Sequence, residues 1–224
     1  MDNTDNSMKA AVVLAGSGVM DGSEIHEAVM TLYAIDNNGG SYEVFAPNVM
    51  QHHVINHISG EPMKESRNVL TEAARIARGK IRALTEYRAS EFDTLIFPGG
   101  FGVAKNLCTY AIDGTDCHVD RIAEEAIRST HRAGKPIGAL CISPVLIARV
   151  LGDVTVTIGN DAATSADIKA LGGRNEDKGH GEVVVDRKNL IVSAAAYMID
   201  ATISDIARDA EAVVKAIKDL IDLK

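Results

Sequence analysis

Short apolar runs alternate along the chain with longer stretches in which apolar residues recur every three or four positions. This is the pattern of strands followed by helices. Residues 9–15, 42–45, 94–97, 136–140 and 154–158 read as strands. Helical spacing covers 24–35 (Ile25, Ala28, Val29, Leu32), 68–78, 119–132 with Gly134 as its stop, 144–150, a turn or two near 166–171, and 203–223. The last of these carries Ile206, Val213, Ile217, Leu220 and Ile221 as its buried stripe. Residues 182–185 and 190–193 read as two strands around a turn at 186–189. Residues 48–66 and the segment from Pro98 to Asp116 are expected as long surface loops.

No repeat, low-complexity stretch or linker interrupts this alternation, so residues 8–224 are expected to form one domain, with 1–7 a polar, disordered extension. Strands linked through helices predict an α/β fold with a mostly parallel sheet covered by helices on both faces. Ligands in such sheets sit at the carboxyl ends of the strands. The loops starting at Gly16, Pro98 and Cys141 should therefore converge on one crevice.

Composition sharpens this picture. Apolar residues make up 46% of the 224, aromatics only 4%, and there is no Trp, so the core must be built from small aliphatics. A net charge of −8 with scattered basic residues argues against nucleic acid and anionic membranes and favours a small metabolite. Three cysteines with no CxxC spacing exclude a disulfide framework or zinc ribbon and suit a reducing compartment. No apolar run is long enough to span a bilayer, and residues 9–15 lack the basic leader of a signal peptide. A cytoplasmic protein is expected.

The strongest chemical signal is the segment GALCISP at 138–144. An apolar strand ends in Cys141, and Pro144 is placed for the first turn of a helix. That is the layout of a nucleophile elbow with Cys in place of Ser. A helix N-terminus at the sulfur would favour thiolate, and the amide of Ile142 would point where an oxyanion could form. Against this, free Cys is among the most buried residue types and at a strand end is ordinarily core.

The segment FPGGFG at 97–102 sets three glycines after a strand. By itself it is a turn; beside an elbow, Gly99 and Gly100 become the second half of an oxyanion hole. In DGSEIHE at 21–27, Ser23 or Asp21 could cap the helix and Glu24 could serve its dipole. Glu27 is harder to dismiss, because its helix is apolar around it; a carboxyl aimed into the crevice could exchange protons with a thiol.

Other motifs carry less. Gly16-x-Gly18-x-x-x-Gly22 is one residue too long for a dinucleotide loop, and no acid follows the second strand, which excludes NAD. His52, His53 and His57 lie in a polar loop without a helical frame to fix metal geometry. They read as solvated or ligand-lining side chains. His180-Gly181-Glu182 sits in a charged stretch and reads as coincidence.

Taken together, these residues resemble the ElbB family (enhancing lycopene biosynthesis protein, or isoprenoid biosynthesis protein with amidotransferase-like domain), in the PfpI-like branch of the class I glutamine amidotransferase-like superfamily. The matching stretches are 18–28 (GVMDGSEIHEA), 54–61 (VINHISGE), 67–79 (RNVLTEAARIARG), 98–107 (PGGFGVAKNL), 134–144 (GKPIGALCISP) and 196–198 (AYM). The resemblance implies a flavodoxin-like three-layer sandwich and a Cys141 nucleophile. It also implies Glu27 as its partner with Glu24 beside it, and oxyanion amides from Gly99, Gly100 and Ile142. His52, His57, Asn106, Cys117, His118 and Tyr197 are candidates for lining the pocket.

Three departures matter: Ser143 stands where amidotransferases have Gly, Ile142 where many PfpI-like proteins have His, and no convincing downstream His-Glu pair is present. The activity implied is a weak, glutathione-independent glyoxalase with no metal and no cofactor. The alternatives are a redox or electrophile sensor, an accessory role in isoprenoid metabolism, or hydrolysis or amide transfer on another substrate. A small carbonyl compound is the expected partner, with homodimer formation expected by analogy to the superfamily.

Overall fold

The computed structural model describes residues 7–223, so the extension expected at 1–7 lies, apart from Ser7, outside the described residues. The elements in chain order are β1 (Lys9–Val13), α1 (Ile25–Asn37), β2 (Ser41–Ala46), α2 (Val69–Ile76), β3 (Ile81–Ala83), β4 (Thr94–Phe97), α3 (Tyr110–Asp113), α4 (Arg121–Arg132), β5 (Ile137–Leu140), α5 (Ser143–Leu151), β6 (Thr155–Val156), α6 (Ala162–Ala170), β7 (Arg174–Asn175), β8 (Val184–Asp186), β9 (Ile191–Ala194) and α7 (Ile203–Asp222).

Seven strands form one sheet in the order β3-β2-β1-β4-β5-β9-β8. All neighbours are parallel except the β8–β9 hairpin, which pairs Val184 with Ser193 across the turn expected there. Along the central strands alternate residues enter different cores. Ala11, Val13, Leu95, Phe97, Ile137, Ala139 and Ile191 pack towards α4 and α5. Ala10, Val12, Ile96, Leu140 and Val192 pack towards α1 and α7. Strands buried on both faces need continuous apolar sequence, which is why these runs show no polar alternation. The result is the flavodoxin-like three-layer α/β sandwich.

Several local expectations are corrected. The run at 154–158 supplies only β6, which leaves the main sheet and pairs with β7 in a second, two-stranded sheet. The segment after Pro98 is not a loop: Val103–Leu107 forms a π-helix closed by the Cys108 amide donating to the Val103 carbonyl, and α3 follows. The loop at 48–66 is tied across itself by bridges between Met50 and Asn68 and between Ile55 and Pro62. Glu24 caps α1, its Oε2 accepting from the Glu27 amide at 2.7 Å. The residues expected to do this are engaged elsewhere: Ser23 Oγ accepts from the Ala15 amide and Asp21 Oδ2 from the Ile55 amide.

Among the described residues no helix is long and apolar enough to cross a membrane.

Candidate active site

β1, β4, β5 and β9 all release their chains at the same edge of the sheet, and the loops there are laced together. The Glu24 amide donates to the Gly99 carbonyl at 2.9 Å, the Gly102 amide to Gly22, and the Phe101 amide to Val19. Ser143 Oγ donates to the Pro98 carbonyl at 2.9 Å, joining the start of α5 to the end of β4. Buried and occupied in this way, Ser143 is part of the frame.

Cys141 sits at the apex. Its φ of 59° is left-handed, a conformation that side chains with a Cβ adopt at an energetic cost, and its amide donates to the Ala194 carbonyl of β9. Ala196, just past the end of β9, is also left-handed at φ 46°. Two adjacent strands therefore turn sharply at one place. α5 begins without a side-chain cap, so the amides at its start are open to other acceptors, except that of Val145, which donates to the Ile142 carbonyl at 3.1 Å. The Ile142 amide donates to the Cys141 sulfur, as does that of Gly100.

Glu27 projects from the first turn of α1 and is fully buried. Its Oε2 accepts from the Gly99 amide at 2.8 Å and its Oε1 from the Tyr197 amide at 3.3 Å. The carboxyl also hydrogen-bonds the Cys141 thiol. Burial, and then the charge of Glu24, push the Glu27 carboxyl up to about 7 against the weaker pull of the two amides. The Cys141 thiol is raised well above its ordinary value, first by burial and then by Glu27. The expected thiolate is thereby corrected: with Cys141 only 8% exposed, burial outweighs the amides of Gly100 and Ile142. The pair is a thiol beside a carboxyl poised to take its proton.

Gly99 is required by contact. A Cβ there would lie 2.5 Å from Cys141 Cβ, 2.7 Å from Glu27 Oε2 and 3.0 Å from Cys141 Sγ. Gly99→Ala is expected to destabilise the protein by about 1–3 kcal/mol through overpacking and to separate Cys141 from Glu27. Urea unfolding of the variant beside the native chain checks this.

The remaining expected site residues divide. Cys141, Glu27, Gly100, Ile142 and Tyr197 are brought together. The Gly99 amide is committed to Glu27 and so is not an oxyanion donor. Glu24 is the cap of α1 and acts on the site through its charge. Asn106 is a fastener: its Nδ2 donates to the Ala15 and Asp21 carbonyls, and its Oδ1 accepts from the His52 amide. His57 clasps the loop after β1, accepting from the Met20 amide at 3.2 Å. Cys117 and His118 are not in the pocket; Cys117 is buried beside Cys108 and Arg149. Sequence reasoning missed His26, whose Nδ1 hydrogen-bonds Tyr197 Oη at 2.8 Å on the exposed rim.

A groove of about 790 Å³ between α1, α2 and the β2–β3 edge, lined by Leu32, Tyr42, Ile76 and Lys80 among others, shares no residue with this constellation. Among the described residues no group of three or more His, Cys, Asp or Glu side chains could hold a metal ion.

His180 is held at both ring nitrogens by acceptors, Asp209 Oδ2 at 2.8 Å and the Asp200 carbonyl at 2.9 Å. It is a clasp between the segment before β8 and the start of α7. Burial lowers its pKa, but the Asp200 carbonyl and Asp209 together prevail and raise it above 6.5. A folded pKa above the unfolded one gives stability that is complete below pH 6.5 and fades as pH rises through the folded value. His180→Ala is expected to cost roughly 2 kcal/mol at pH 6 and less at pH 9. Thermal unfolding at both pH values reads the difference.

The profile of the DJ-1/PfpI family matches residues 8–209. The "ES1 protein homolog, mitochondrial" of Rattus norvegicus is 46% identical over 222 residues, covering 95% of this chain and 84% of that protein. The "Glutamine amidotransferase-like class 1 domain-containing protein 3, mitochondrial" of Homo sapiens is also 46% identical, covering 95% of this chain and 83% of that protein. Among solved structures, an isoprenoid biosynthesis protein with amidotransferase-like domain from Ehrlichia chaffeensis superposes with a TM-score of 0.89 at 37% identity, covering 97% of this chain and 100% of that one. The expected cytoplasmic location is overturned by the first two relatives, both named as mitochondrial proteins. The expectation rested on unpaired cysteines, which do not separate one reducing compartment from another.

Proposed function

The chain belongs to the DJ-1/PfpI family, and from that premise we propose that it is a cysteine-dependent enzyme converting glyoxal or methylglyoxal to a 2-hydroxy acid without glutathione. The observation that carries this reading is the buried hydrogen bond between the Cys141 thiol and a Glu27 carboxyl whose pKa lies near neutrality. A general base works best with its pKa close to the working pH.

In methylglyoxal the aldehyde carbon is the electrophile. As the sulfur adds, Glu27 takes the thiol proton and returns it to the new alkoxide, giving a hemithioacetal. The amides of Gly100 and Ile142 steady that oxygen while it is charged. Glu27 next removes the hydrogen of the hemithioacetal carbon and redelivers the proton to the neighbouring carbon, while the hemithioacetal hydroxyl proton passes to the ketone oxygen, so that the ketone becomes an alcohol and the hemithioacetal a thioester. Water cleaves the thioester, releasing lactate and the free thiol; the net reaction is methylglyoxal plus water. Tyr197, through its amide on Glu27 Oε1, helps hold the carboxyl in place for these transfers.

The slight exposure of Cys141 suits a two- or three-carbon substrate and disfavours a peptide or a bulky amide donor. Glutamine hydrolysis is disfavoured further because His180, the nearest match to a downstream catalytic His, has both ring nitrogens engaged. A peroxide-sensing role for Cys141 is disfavoured because the group facing its buried sulfur is the Glu27 carboxyl, whose charge raises the thiol further, and no cation among the described residues opposes it. Likeness to the Ehrlichia protein supports placing the chain in the ElbB branch, and the names of the two mammalian relatives favour a mitochondrial-type setting.

The native chain incubated with methylglyoxal in glutathione-free buffer is expected to yield lactate equal to the dicarbonyl lost. Consumption without hydroxy acid would indicate simple thiol or amine adducts and overturn the reading.

A further inference from the structure

The other two cysteine sulfurs lie away from the site. Cys108 packs in the core facing α4 and α5, whereas Cys141 belongs to the core facing α1 and α7. Cys108 and Cys117 are 4% and 0% exposed, and both are free. An antiparallel bridge sets Cys108 opposite Val119. The Thr109 amide donates to the His118 carbonyl at 2.9 Å, and the His118 amide to Thr109 Oγ1 at 3.0 Å. These contacts draw together the ends of the segment 109–116, and the Cys108 and Cys117 side chains meet.

Arg149 of α5 reaches the same point. Its Nε donates to the Cys117 carbonyl at 2.9 Å, and its guanidinium also bonds the Cys117 thiol. The charge of Asp113 acts on the same thiol in the opposite sense, more weakly than Arg149. Cys108 instead donates its thiol to the Val103 carbonyl at 3.3 Å. The two sulfurs differ in degree: the guanidinium hydrogen-bonds Cys117, whereas it reaches Cys108 through its charge alone. Burial raises both thiols, Cys108 to about 12, while at Cys117 the charge of Arg149 opposes it.

We infer that Cys108 and Cys117 are a peroxide-oxidisable dithiol that closes to an intramolecular disulfide, with Cys117 the sulfur attacked first and Cys108 the resolving one. Hydrogen peroxide is the oxidant, small enough to enter where larger oxidants are excluded. The Cys117 thiolate displaces hydroxide from the peroxide and becomes a sulfenic acid. The Cys108 sulfur then attacks that sulfur, its proton leaving with the expelled hydroxyl as water. Two thiols and one peroxide give one disulfide and two waters. Gly114, at φ 57° and ψ −134°, lies within the segment and gives it a bend that glycine alone adopts freely. None of this depends on what Cys141 does.

The full chain, treated in native buffer with graded hydrogen peroxide, quenched, unfolded in alkylating reagent and digested, decides the matter by peptide mass. The expected product is a Cys108–Cys117 linked peptide pair, lighter by two hydrogens and separated by dithiothreitol, that also appears in Cys141→Ser. In Arg149→Leu it should form at least roughly threefold more slowly, because less Cys117 is ionised. Recovery of Cys108 and Cys117 both alkylated while Cys141 is oxidised would overturn the inference. So would a bridge to Cys141 or between chains, or unchanged kinetics in a folded Arg149→Leu.

Discussion

Cys141→Ala is expected to reduce hydroxy-acid formation to the buffer background, a loss on the order of 10⁴-fold or more by analogy with removal of other catalytic nucleophiles. The protein should stay folded. Ala fits within the volume of Cys and takes the same left-handed backbone, so the strain at φ 59° is unchanged and only the sulfur's packing is lost. Far-UV circular dichroism and a melting temperature within a few degrees of the native chain establish that the loss is chemical. Cys141→Ser is the more searching companion: its hydroxyl keeps a group for the Gly100 and Ile142 amides but is far harder to ionise. More than a tenth of native turnover in either folded variant would remove Cys141 from the mechanism.

Glu27→Gln should lower kcat/KM by about 10²–10⁴-fold, the usual range for a positioned acid–base group, and should also change the shape of the pH profile. In the native chain kcat/KM should climb about tenfold per pH unit below pH 7 and level off above it, because the base is Glu27 in its ionised form with a pKa of about 7. The variant should lose that limb. Stability should move the other way. A carboxyl whose folded pKa is raised binds its proton more tightly in the folded state, so folding stability falls as pH rises from about 4.5 to 7. For a shift of this size the loss is roughly 3 kcal/mol, and Glu27→Gln is exempt from it. The variant does forfeit one acceptor, since Gln has a single oxygen for the Gly99 and Tyr197 amides, but that deficit is constant with pH. Unfolding by urea at pH 5 and pH 8 for both proteins separates the two contributions; equal pH dependence would show that Glu27 is not the titrating group.

What could be read from the sequence was set by local chemistry. The apolar runs of β1, β4, β5 and β9, the Cys141–Pro144 elbow and the acid on an apolar helix all depend on neighbours a few residues away. β3 and β7, at three and two residues, owe their existence to partners rather than pattern and were invisible. The cap of α1 was misassigned because Ser23 and Asp21, better caps by type, are drawn away by Ala15 and Ile55. Cys117 and His118 were expected among the pocket residues, yet the chain carries Cys117 to Arg149 of α5. The sign of the Cys141 shift was missed for a related reason: the helix N-terminus is visible in sequence, but the depth of burial that overrides it is not.

The π-helix at Val103–Leu107 holds one more residue than an α-helical turn would. Its wide turn is what aims Asn106 at the carbonyls of Ala15 and Asp21. Residue count, more than residue identity, is therefore fixed between Gly102 and Cys108. Dropping one residue would restore ordinary helical winding and swing every later side chain by about 100°, taking the amide off the loop that α1 springs from. Length polymorphism should be tolerated in the exposed parts of 56–66 and rejected here. A deletion library scored for folding would show the boundary as a sharp gap around residues 103–107.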